Sequence, residues 1–73
     1  MEQIVSQVLL ATAQRDWEEL RRLLHPYLHW SEHGGVKLRG RRNVLSWLAT
    51  RQGSLAPPER VELRDGQVYR WLG

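Results

Sequence analysis

Apolar residues recur at helical spacing near the start of the chain: Ile4, Val5, Val8 and Leu9, with Thr12 on the same stripe. The pattern predicts an amphipathic helix over residues 2–14. Asp16 follows in the position of an N-cap, and Glu19, three residues on, is placed as its reciprocal capping-box partner. Trp17, Leu20, Leu23 and Leu24 supply the stripe of a second helix. Pro26 stops it, because the residue before a proline avoids the helical region. From Tyr27 to His33 the period changes to two. Leu28 and Trp30 fall on one face of a strand, and Tyr27, His29, Ser31 and His33 on the other. Gly34-Gly35 is a turn, and Val36 to Arg39 a short strand or extended link. The face of Leu38 depends on that turn's length, since a slip of one residue swaps the faces. Gly40 to Gln52 reads as a third helix with Val44, Leu45, Trp47 and Leu48 inward and Gly53 as its C′ residue.

After a linker from Ser54 to Pro58, Asp65-Gly66 sits between two strand-like runs as the signal of a two-residue hairpin turn. A regular ladder then pairs Leu63 with Val68, Glu62 with Tyr69, Val61 with Arg70 and Arg60 with Trp71. Val61, Leu63 and Val68 would share one face, and Tyr69 and Trp71 the other. The element order is ααββαββ. It predicts an α+β domain with helices packed on one face of a small, mostly antiparallel sheet.

The chain has 73 residues and reads as one domain, 1–73. A domain this short buries only about 60% of its unfolded surface and normally needs a staple. There is no cysteine, which excludes disulfides and thiolate metal sites. Oligomerisation or a large aromatic core remains. Four tryptophans and no phenylalanine point to indoles as the main packing groups. The lack of cysteine fits a cytoplasmic protein. Glu2, Ser6 and Gln7 break the pattern of a signal peptide, and no apolar run reaches transmembrane length. The net charge is +3 and the cations are ten Arg and one Lys. That bias fits a small bacterial protein from a GC-rich genome better than it argues for an anionic partner.

The stretches "RDWEELRRLLHPYLHW", "LRGRRNVLSWL" and "VELRDGQVYRW", in that order, resemble the nuclear-transport-factor-2-like superfamily, the cystatin-like cone shared by SnoaL-like polyketide cyclases and ketosteroid isomerases. The carrying features are Asp16 before a Trp, Leu24 with His25-Pro26, the strand through Trp30, Gly40 opening the third helix, and the "RDGQVYRW" hairpin. The resemblance implies a curved sheet with a pocket between it and the helices. Members are commonly half as long again, with further strands after the third helix, so the chain looks like a small, truncated member with a reduced pocket.

In ketosteroid-isomerase-like members an acid near the end of the first strand abstracts a proton, and Glu32 stands at the matching place. The resemblance thus implies Glu32 as the candidate catalytic base. Its parity with Leu28 and Trp30 aims it toward the helices, where dry surroundings beside indoles would raise its pKa. The oxyanion donors of that chemistry have no match here. The bland reading is a solvated Glu32, or one paired with Lys37 across the turn. His25, His29 and His33 are spaced by four, but Pro26 forbids a common helix, and on a strand His29 and His33 would stand ~13 Å apart. No metal and no cofactor are expected. Lys37, Arg39, Arg41 and Arg42 form the one basic cluster in the sequence, and Arg41 and Arg42 at a helix start are a candidate anion site. Nucleic-acid binding would want a larger patch with exposed aromatics, so none is expected.

The leading expectation is a non-enzymatic module acting as a homo-oligomer and binding a small apolar ligand or a protein. The alternatives are a cyclase- or isomerase-like enzyme using Glu32, and an anion- or nucleic-acid-binding protein using residues 37–42. Trp17, Trp30, Trp47, Leu28 and Val68 are expected to fill the pocket or core. Tyr27, His29, Tyr69 and Trp71 would form an uncovered sheet face suited to a homodimer. The last strand would offer an open edge to the same partner. The competing arrangement places that strand in mid-sheet beside the first one.

Overall fold

A computed structural model describes residues 2–51 and 53–73. Three helices, α1 (Gln3–Ala13), α2 (Trp17–Leu23) and α3 (Arg41–Thr50), cover one face of a four-stranded sheet. The strands are β1 (Leu24–Glu32), β2 (Val36–Arg39), β3 (Arg60–Arg64) and β4 (Gln67–Leu72), in the spatial order β2-β1-β4-β3. The two outer pairings are antiparallel and the central β1–β4 pairing is parallel. This is the ααββαββ α+β arrangement. Among the described residues no helix is long and apolar enough to cross a membrane.

Local chemistry explains most boundaries. Asp16 caps α2 by accepting from the Glu19 backbone N–H at 3.2 Å. The reciprocal half of the capping box is missing, because the Asp16 N–H bonds Ala11 O instead and the Glu19 carboxylate pairs with Arg22. Helix α2 ends three residues before Pro26. The pre-proline restriction holds His25 extended, and Leu24 already pairs with Val68 of β4. The strand expected to start at Tyr27 therefore starts at Leu24. Helix α3 ends at Thr50, and Arg51 turns into an extended conformation. Gln52, expected to belong to that helix, lies outside the described residues; with Arg51 as the C-cap, Gly53 stands one residue beyond the C′ position expected for it.

The core draws Val5, Val8 and Ala11 from α1, Leu20 and Leu23 from α2, and Val44 and Leu48 from α3. The sheet contributes Leu24, Leu28, Trp30, Val68 and Trp71. Trp17 and Trp47 pack against this cluster half-buried. Trp30 and Trp71 are register partners across the parallel pair, and their rings stack at 4.6 Å with 5° between planes. Of the expected core and pocket residues, all five lie in or against the core.

Two expectations about the hairpin are corrected. The Asp65-Gly66 turn forms with φ of 54° and 77°, as a type I′ turn requires. However, the ladder is not regular: Leu63 pairs with Val68, but Glu62 pairs with Arg70 and Val61 with Trp71. Tyr69 is the extra residue of a β-bulge, which shifts the register and keeps Tyr69 and Arg70 on one side. Trp71 is thereby turned inward and is 1% exposed, so it does not belong to the outer face where a regular hairpin would put it. The second correction is the edge. β4 lies inside the sheet, hydrogen-bonded on both sides, and the edges are β2 and β3.

Trp71→Ala should cost about 3–5 kcal/mol of unfolding free energy, read by denaturant titration. Tyr27→Ala, at a 75% exposed position, should change it by no more than about 0.5 kcal/mol.

Candidate functional site

Glu32 ends β1 with its side chain on the helix side, as its parity with Trp30 requires. Its environment differs from the expectation. One carboxylate oxygen, Oε2, accepts from the indole N–H of Trp30 at 2.8 Å and from that of Trp47 at 2.8 Å. The other, Oε1, accepts from the Arg51 guanidinium at 2.6 Å. The side chains of Glu32 and Arg51 are 15% and 18% exposed. Burial pushes the Glu32 carboxyl up, but the two indole donors and the guanidinium together outweigh it and hold the group below its ordinary range. The expected upward shift is therefore reversed, because burial comes with three donors that all favour the charged form.

The alternative partner, Lys37, is excluded by register. Lys37 pairs with Ser31, and both lie on the sheet face opposite Glu32. Arg51 escaped sequence reading because it lies beyond the apolar stripe of α3. Its spacing of four from Trp47 is the signal that relates it to the same site. Beside the ion pair a cleft of about 180 Å³ is lined by Glu32, His33, Arg51, Ala56, Pro57, Trp71 and Gly73. Ligand pockets are commonly about 300–1,000 Å³. A wider open cleft of about 520 Å³ on the α1 side of Arg51 is lined by Leu9, Thr12, Ala13, Arg15, Arg51, Gly53, Ser54 and Leu55, with no carboxylate among them.

The remaining site residues occupy two other regions. Arg41 opens α3 and donates to the Arg21 carbonyl at 3.1 Å, over a shallow groove shared with Glu18, Arg21 and Arg22. Arg42, also in the first turn of α3, is exposed. Tyr27, His29 and Tyr69 share the outer sheet face. Pro26 has no N–H for the ladder, and the Tyr27 N–H donates to His25 Nδ1 at 3.1 Å. The β1–β4 register slips between Leu24 and His29, and Tyr27, within that stretch, is 75% exposed. The Tyr69 ring meets those of His25 and His29 edge-on at 5.2 and 5.5 Å, and Arg64 lies over it at 4.6 Å. The bulge puts Arg60 opposite Leu72 and not opposite Trp71, where a regular ladder would place it. His33 is apart from the other two, 4.0 Å from Glu59.

No protein-family model and no curated protein matches the chain. A solved structure from Kribbella flavida, described as a "putative ketosteroid isomerase", matches with a TM-score of 0.74. The match takes in 92% of this chain and 70% of that one at 17% identity. At that identity the likeness shows the fold, which is the cone implied by the sequence resemblance.

Because the Glu32 pKa is lower folded than unfolded, the ion pair stabilises the protein fully above the unfolded value, near about 4.3. That contribution is lost as pH falls through the folded value. Glu32→Gln should cost about 2–3 kcal/mol at neutral pH and flatten the acid limb of the stability–pH curve. An unchanged acid limb would show that the carboxylate is not held as described.

Proposed function

We propose that this chain is a small non-enzymatic module of nuclear-transport-factor-2-like fold whose working surface is the outer face of its sheet. The observation that carries the reading is the state of Glu32. A general base needs a pKa near working pH, whereas this carboxylate accepts from two indoles and a guanidinium that favour its charged form, and is held low. The cleft beside it is only about 180 Å³, and the Trp30 ring that donates to it is stacked on Trp71. Inward chemistry is thereby disfavoured, and a small apolar ligand in the interior with it. The outer face, by contrast, presents Tyr27 at 75% exposure beside Tyr69 and His29.

A homodimer through that face is the second reading, favoured by the same exposed ring. Its other supports are weaker than the sequence suggested, since Trp71 faces inward and β4 has no open edge. What remains is a face rich in cations, which would meet its own charge across a two-fold axis.

Incubated with a model β,γ-unsaturated ketone, the protein should isomerise it no faster than buffer, and Glu32→Gln should behave identically. Turnover by the natural chain that is abolished in Glu32→Gln would overturn the non-enzymatic reading. Light scattering at tens of micromolar decides the second reading. A dimer mass that is lost in Tyr27→Glu/Tyr69→Glu supports it, and a monomer mass ends it.

A further inference from the structure

Cross-strand register places the outer face in rows. Arg39, His29, Arg70 and Glu62 align across β2, β1, β4 and β3. Lys37, Ser31, Leu72 and Arg60 form the next row. At the other end Arg64 reaches over Tyr69, close to His25 and Tyr27. Five of the eleven lysines and arginines thus belong to one face, against a single strand carboxylate, Glu62, which lies 3.7 Å from Arg70. The net charge of the whole chain is +3, so the rest of the surface is close to balanced. The distribution is ordered as well as one-sided. The aromatic rings Tyr27, His29 and Tyr69 stand on the two central strands. Lys37 and Arg39 lie on one edge, and Arg60 and Arg64 on the other, about 14 Å away across three strand spacings.

We propose that this face binds single-stranded nucleic acid, with phosphates along a cationic edge and a base laid on the exposed Tyr27 ring. The proposal rests on the outer face being the working surface. Charge complementarity calls for a polyanion and disfavours a second copy. The exposed Tyr27 ring decides which polyanion: an acidic peptide would use the arginines and leave that ring idle, whereas an unpaired base stacks on an exposed aromatic and on arginine planes. A shallow groove of about 410 Å³ lined by Tyr27, His29, Arg39, Gly40 and Tyr69 joins one edge to the centre. The fold assembles a larger basic patch than the sequence alone showed, with one exposed ring, Tyr27, beside the half-buried Tyr69 and His29. The cluster of residues 37–42 contributes Lys37 and Arg39 to it, while Arg41 faces the α2 groove.

The test is fluorescence anisotropy with a labelled oligo-dT of roughly a dozen nucleotides, across salt from about 50 to 300 mM. Contact with about four phosphates predicts a log–log salt slope near −3. Tyr27→Ala, whose melting temperature should match the natural chain, should weaken binding roughly five- to a hundredfold. Arg39→Gln should reduce the slope by about 0.7. Equal affinity of Tyr27→Ala, or displacement of the oligonucleotide by poly-glutamate as readily as by unlabelled oligo-dT, overturns the proposal in favour of an acidic protein partner. Absence of binding at the lowest salt overturns it too. A dimer that tightens as salt rises and excludes the oligonucleotide overturns it while leaving the outer face as the working surface. Ketone turnover dependent on Glu32 removes that underlying reading by a separate measurement.

Discussion

The stack of Trp30 on Trp71 is the contact on which the rest of the molecule depends. It joins strands that are far apart in sequence, and both rings are 1% exposed. With no cysteine in the chain and a domain too small for a generous core, two indoles in register supply apolar area that several smaller residues would otherwise have to share. The β-bulge at Tyr69 makes the stack possible. In a regular ladder Trp71 would fall on the solvent side, and Val68 and Leu72 would be the apolar residues on the inner face of β4. One inserted residue thus sets both faces: it sends an indole into the core and leaves Tyr69 beside Arg70 outside.

The stack also governs Glu32. The Trp30 indole N–H, at the rim of the core, needs an acceptor, and so does that of Trp47. One carboxylate oxygen serves both, and Arg51 neutralises the other. Here the surroundings supply donors on every side that the hydrogen bonds describe.

Most elements were legible from periodicity and capping. The Asp16 cap, the Asp65-Gly66 turn and the inward set Leu28, Trp30 and Val68 all follow from local rules that tertiary contacts reinforce. The failures share a cause. Trp71 was misplaced because a bulge is not encoded in the turn residues: Tyr69-Arg70 reads as regular alternation until core packing selects the other register. Arg51 was missed because an ion pair between a strand end and a helix end depends on how the two meet in space. The cationic outer face was invisible because Lys37, Arg39, Arg60, Arg64 and Arg70 come from three strands whose lateral order the sequence left open.

That lateral order has a kinetic side. The middle of the sheet is a parallel pairing of residues 24–31 with residues 68–72, so its closure spans most of the chain. Loop closure over such a distance comes before any gain from the contacts it permits, which places the domain among slower folders for its size. During synthesis α1, α2, β1 and β2 emerge first, and until β4 arrives β1 exposes the flank it will later share. For that interval the nascent chain carries an uncovered Trp30 on a strand with an unpaired side, a surface of the kind that chaperones shield.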